Sequence, residues 1–156
     1  MYLQKAIFKN VAPFGDLNLT FEKNQLIVFS GINGRGKTTI LSYIADAFFE
    51  IARTAQYQDV FENNTKYYRV TSPSNVINGS SYSVVYLRFV DDGQSIDYLE
   101  IVGQLDQPEY DKIVTLGDKI VFGAFDVALK NNASCKLVVI DQLKARKLFE
   151  QNILTY

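Results

Sequence analysis

The segment from Gly31 to Thr38 has the residue types and spacing for phosphate chemistry. Gly31-Ile32-Asn33-Gly34-Arg35-Gly36-Lys37-Thr38 fits G-x-x-x-x-G-K-[ST] at every defined position. Glycines let a backbone turn back on itself and aim successive N–H groups at one point. A helix starting at that point adds its partial positive charge. Lys37, the candidate catalytic residue, supplies a compact charge for the β- and γ-phosphates, and the Thr38 hydroxyl is the candidate Mg²⁺ ligand. At background residue frequencies the pattern arises by chance in on the order of one in a hundred or fewer chains of this length. It therefore outweighs the alternative, a glycine-rich turn that binds nothing.

Such a loop needs a strand before it and a helix after it. Leu26-Ile27-Val28-Phe29 is a continuous apolar run, which suits a strand buried on both faces. Thr38 to Ala55 reads as a helix with Ile40, Ile44, Ala47, Phe48 and Ile51 on one face. Phe49 lies off that stripe and predicts burial on more than one side. Upstream, Leu3 to Phe8 reads as a strand and Pro13-Phe14-Gly15-Asp16 as a turn. Leu17, Leu19 and Phe21 alternate with polar residues, as in a second strand, and Glu22-Lys23-Asn24 is a further turn. Residues 58–81 carry loop chemistry. Tyr82 to Val90, the turn Asp91-Asp92-Gly93 and Ile96 to Val102 form the clearest antiparallel hairpin. Beyond Pro108 the pattern is less regular. Ile120 to Leu129 fits strand or helix, Leu137 to Ile140 a buried strand, and Gln142 to Asn152 a polar helix. The division is a phosphate-loop core over 1–57, a loop over 58–81, a β-hairpin arm over 82–102 and an unassigned remainder over 103–156.

The chain has 156 residues, of which 47% are hydrophobic and 21% charged, as in one ordinary globular domain. No run of about 18 or more apolar residues is present, and Met1 to Phe8 lacks signal-peptide character, so a cytoplasmic protein without a membrane partner is expected. One cysteine, Cys135, cannot form an intrachain disulfide. Histidine is absent, which removes histidine-based triads and the usual zinc sites. A net charge of −1 does not indicate a strongly basic nucleic-acid surface. Most of the ten tyrosines and eleven phenylalanines fall in strand or helix patterns, so they read as core. Tyr67-Tyr68-Arg69 is an aromatic cluster for a base or a partner. Lys144, Arg146 and Lys147 read as a solvated helix face.

Residues 1–55 resemble the N-terminal lobe of ABC-type ATPases of the SMC, RecF and OLD kind. The likeness rests on Ile7-Phe8-Lys9-Asn10-Val11, Phe14-Gly15-Asp16-Leu17, Leu19-Thr20-Phe21 and Leu26 to Thr39. Asn33, Gly34, Arg35, Gly36, Lys37, Thr38 and Thr39 match that family's phosphate loop one by one. Arg35 departs from the small residue common there; it either lends charge to the phosphates or a partner, or is solvated. The hairpin at 82–102 resembles the family's antiparallel β-subdomain in order and shape. The resemblance implies an α/β P-loop NTPase fold, an ABC-type N-terminal lobe with a mixed sheet and an antiparallel β-hairpin subdomain. It implies ATP and Mg²⁺ as cofactors. It also implies a role in DNA repair or phage defence, with DNA engaged through the complete assembly and a nuclease among the partners.

Other family features are missing. No LSGGQ-like signature and no switch histidine occur. Lys136 to Gln142 resembles an apolar strand ending in Asp141, a candidate for holding Mg²⁺ through water, but Gln142 stands where a Glu would orient the attacking water. An N-cap role for Asp141 is the alternative. Gln104 and Gln107 are further Mg²⁺ candidates. The expectation is the N-terminal portion of a larger ATPase, or a half-protein completed by a second ATPase lobe or protomer in a homodimer. Alone it would bind nucleotide and hydrolyse it poorly. Two alternatives stand beside this: an autonomous small P-loop kinase or NTPase, and a non-catalytic nucleotide-gated interaction module.

Overall fold

The computed structural model describes residues 1–56, 76–103, 135–140, 143–145 and 147, with the backbone alone described at 53–56 and 135–140. Within these, the order is β1 (Tyr2–Val11), β2 (Phe14–Thr20), α1 (Lys37–Gln56), β3 (Tyr82–Asp91), β4 (Gln94–Gly103) and β5 (Cys135–Ile140). The strands form one sheet in the order β2-β1-β3-β4-β5. Every neighbouring pair is antiparallel. The expected mixed sheet is thus replaced, among the described residues, by an antiparallel one.

Two tight hairpins set the register. Ala12 and Pro13 alone separate β1 from β2, pairing Val11 with Phe14. The turn is shorter than the sequence predicts, because Phe14, Gly15 and Asp16 already belong to β2. Asp92 and Gly93 join β3 to β4, both at positive φ (43° and 79°), the two-residue turn whose twist matches the strands it connects. The long Val/Ile/Leu/Tyr-rich strands that flank it are central, not peripheral: β3 pairs with β1, and β4 with β5.

Alternation along the strands gives the sheet two faces, and both are buried. On one face Ala6, Phe8, Val85, Leu87, Phe89, Ile96 and Tyr98 form a core with Ile40, Tyr43, Ala47 and Ile51 of α1. Aromatic rings knit the layers together: Phe8 meets Tyr43 edge-on at 5.9 Å, and Phe48 lies 4.6 Å from Phe89. The other face buries Ile7, Val84, Tyr86, Leu99 and Ile101. It also carries a polar group. Arg88 Nε and Nη2 donate to the two Asp97 oxygens at 2.7 and 3.0 Å, and the Tyr86 hydroxyl donates to Asp97 Oδ1 at 3.0 Å. Burial first, and the Asp97 charge second, hold the Tyr86 phenol above its ordinary pKa, so it stays a donor.

The run Leu26 to Phe29 is not a strand. Leu26 is 93% exposed and Val28 76%. The reason is a missing neighbour: no described strand runs beside it, so its backbone groups have no ladder to join. Phe49 likewise is exposed, and so is Phe48 in part, despite its place on the predicted stripe. Residues 143–145 and 147 are helical, within the helix predicted from Gln142. Gln104, Gln107, Asp141, Arg146, Tyr67-Tyr68-Arg69 and Ile120 to Leu129 lie outside the described residues. No described helix is long and apolar enough to cross a membrane.

Among the described residues, truncating Arg88 would leave the buried Asp97 carboxylate with the Tyr86 hydroxyl as its side-chain donor. Because Arg88 is itself partly solvated, Arg88→Ala is expected to cost about 2–3 kcal/mol, at the lower end for a broken buried pair. Urea denaturation measures this.

Candidate phosphate-binding site

The loop from Gly31 to Gly36 runs directly into α1, whose first residue is Lys37. The first helical hydrogen bond at this end is Ile40 N–H to Gly36 C=O, 3.1 Å. The N–H groups of Lys37, Thr38 and Thr39 therefore precede any i−4 partner and lie at the positive end of the helix. No acidic residue occupies this first turn. The arrangement suits an external anion.

Gly31, Gly34 and Gly36 all have positive φ, at 148°, 82° and 86°. Around Gly34 there is open space, so conformation alone demands glycine there. Gly36 is constrained twice. A Cβ at this position would lie 2.3 Å from Phe14 Cζ and 2.8 Å from Pro13 Cδ. The β1–β2 turn thus abuts the last glycine of the loop.

Lys37 is the most telling side chain. Its Nζ donates to the carbonyls of Gly31 at 2.6 Å and Ile32 at 3.0 Å. The ammonium reaches back over the whole loop and closes it into a ring.

The structure brings together the predicted set. Asn33, Gly34 and Arg35 form the exposed crest of the loop, Gly36 and Lys37 are half-buried, Thr38 is exposed and Thr39 half-buried at the helix start. Thr38 offers a hydroxyl oxygen for Mg²⁺ on the solvent side. Among the described residues, no cluster of acidic or cysteine side chains could hold a metal by itself. An ion at Thr38 would need phosphate oxygens and water to complete its coordination. Two features escape sequence reasoning: the contact of Pro13 and Phe14 with Gly36, and the burial of Asp46 and Glu50 on α1.

The family model for the AAA domain matches residues 6–152. The chain belongs to the AAA-domain family. That family is one of nucleotide-binding ATPases, generally binding ATP with Mg²⁺, and the match spans the loop, α1, strands β2 to β5 and the second part of β1. No curated protein matches the chain. In this AAA domain the matched span includes the loop, Lys37 and the head of α1.

Gly34→Ala and Gly36→Ala separate the two constraints. Gly34→Ala is expected to cost about 1–2 kcal/mol from backbone strain alone. Gly36→Ala adds a collision with the Phe14 ring and should cost more. Denaturant midpoints of the two variants give the order.

Proposed function

We propose that this AAA domain binds Mg–ATP at Gly31 to Thr39 as the N-terminal lobe of an ATPase of the SMC, RecF and OLD kind. The observation that carries the reading is Lys37, folded over a loop of three positive-φ glycines at the head of α1. The chain's own residues do the following. Backbone N–H groups at the loop and first helical turn hold the β-phosphate. Lys37 exchanges its two loop carbonyls for β- and γ-phosphate oxygens. Thr38 ligates Mg²⁺, which neutralises phosphate charge when bound. Arg35, exposed at the crest, is free to face the γ-phosphate or a partner.

Turnover needs a second lobe, in the same protein or from a second protomer. Two exposed apolar surfaces support this. Leu26, Ile27, Val28 and Ile32 lead into and through the loop with their side chains in solvent. On α1, Leu41, Phe48 and Phe49 are exposed on a flank that continues through Ala45 and Ala52, beside the buried stripe. Burying such side chains is worth about 1.5–3 kcal/mol each, which favours docking of a lobe that supplies a strand beside Leu26–Val28 and packs on α1. The water-orienting acid would come with that lobe, and the remaining Mg²⁺ contacts with that lobe or from Gln104, Gln107 and Asp141. In the complete assembly the ATPase would serve DNA repair or phage defence, with DNA and a nuclease as partners, in the cytoplasm.

Calorimetry of Mg–ATP binding, with phosphate release followed in the same samples, tests the nucleotide reading. Lys37→Ala should weaken binding by at least about tenfold, the loss of one charge-assisted contact. Wild type and Lys37→Ala binding equally would overturn it. Binding without turnover, even with a second lobe supplied, would instead favour a nucleotide-gated interaction module.

Phe49→Glu tests the docking surface. It should leave Mg–ATP affinity within about twofold, since Phe49 lies about 18 Å along α1 from Lys37, and remove any rise of specific turnover with protein concentration. Turnover that is robust in the variant and independent of concentration would point to an autonomous NTPase.

A further inference from the structure

A phosphate loop is a run of backbone with few side chains to pack, so something outside it must hold its shape. We propose that Phe14, with Pro13, is the positioning element of this loop. It sets Gly36, and through Gly36 the first turn of α1, in the phosphate-binding geometry. The proposal rests on the nucleotide reading above and assigns the site a residue 22 positions upstream of Gly36, outside the glycine-rich motif.

The geometry is local and specific. The Phe14 ring presents Cζ and Cε1 to the α-carbon of Gly36, so closely that no side chain fits between them. Pro13 Cδ closes the same side. Behind Gly36, its carbonyl accepts from Ile40 N–H. The peptide at Gly36 is thus held between a ring in front and a helix behind. The ring is itself anchored: Phe14 lies 6.0 Å from Phe8, and Phe8 lies 5.9 Å from Tyr43 of α1. Phe8 and Tyr43 are almost wholly buried. The series Gly36, Phe14, Phe8, Tyr43 starts at the loop, passes through the sheet and returns to the helix that the loop begins. Register places the ring there: the turn at Ala12 and Pro13 makes Phe14 the first residue of β2, opposite Val11.

The chemistry follows. Binding a phosphate at a nest of N–H groups demands that they converge before the ligand arrives. The loop glycines supply freedom, which by itself costs entropy to order. A ring wedged on Gly36 removes that freedom at the residue joining loop to helix. Phe14 touches neither phosphate nor metal in this role, and acts by placing the backbone that does.

The experiment uses the full chain as wild type, Phe14→Ala, Phe14→Tyr and Leu19→Ala. Leu19 packs against the same core from the same strand but lies five residues along β2 from Phe14, opposite Ala6, and is not among the atoms nearest Gly36, so it reports general destabilisation. Phe14→Tyr keeps the ring and adds an oxygen at Cζ, the atom nearest Gly36. Mg–ATP affinity is measured by calorimetry below all unfolding midpoints. Amide exchange of Ile40, whose N–H reports the Gly36 bond, is measured relative to that of Ala47 in the middle of α1. Both Phe14 variants should weaken binding by about tenfold or more and speed Ile40 exchange relative to Ala47, as expected when a binding group is displaced by part of an ångström. Leu19→Ala should do neither, even where it lowers the midpoint as far as Phe14→Ala. Unchanged relative exchange in both Phe14 variants, or an equal loss of affinity in Leu19→Ala, would overturn the proposal. Should the wild type bind no ATP, the nucleotide reading fails, while the exchange ratio still decides whether Phe14 positions Gly36.

Discussion

Helix α1 must sit on the sheet before its N-terminus can be a site at all. A free 20-residue helix frays at its ends, and a glycine-rich loop attached to it would sample many shapes. Seating comes from aromatic and aliphatic side chains of one buried stripe and from half-exposed Phe48 at its edge. Tyr43 meets Phe8, Phe48 meets Phe89, and Ile40, Ala47 and Ile51 fill the space between. Ile40 is in the first turn, so the buried stripe reaches almost to the loop. The residue just before α1, Gly36, then meets the β1–β2 turn. The geometry at the junction of the loop and α1 is thus a consequence of helix packing and of one hairpin, more than of the loop itself.

The sheet that carries α1 is stiff for identifiable reasons. Its central strands β3 and β4 are buried on both faces, so a one-residue slip would exchange two cores. The Arg88, Asp97 and Tyr86 group gives the second face a register mark: the Arg88–Asp97 pair forms only with those residues directly opposite, as they are. Such a buried polar group adds little net stability, yet a shifted register would leave a carboxylate without partners.

One side of the domain has a different character. Antiparallel strands on β1–β5 satisfy one another, whereas the run entering the loop has the composition of a central strand and no neighbour among the described residues. Apolar side chains there and on the flank of α1 remain in water. The same segment leads directly into the loop and Lys37. Under the proposed function, a surface that would gain from docking and a loop that would gain from ordering lie on consecutive stretches of chain, and the two events would be coupled through the loop.

Much of this was legible in the residues. The motif from Gly31 to Thr38, the period of α1 and the hairpin around Asp92-Gly93 are local signals: each depends on spacing within a few turns or on one two-residue turn, and each appears in place. Lys37 and Thr38 could be assigned roles for the same reason. The fate of Leu26 to Phe29 could not be read, since an apolar run states that a strand is wanted and says nothing of whether a partner lies beside it. The sheet's uniformly antiparallel pairing also depends on which strands meet, and β3 separates from β1 by most of the chain's first half. Phe14 carries no chemistry that would single it out. Its place against Gly36 exists only because a two-residue turn starts β2 there and a helix packed on Phe8 brings the loop to it. Local sequence determined which groups are able to bind a phosphate; contacts between residues distant in the chain decided how those groups are held.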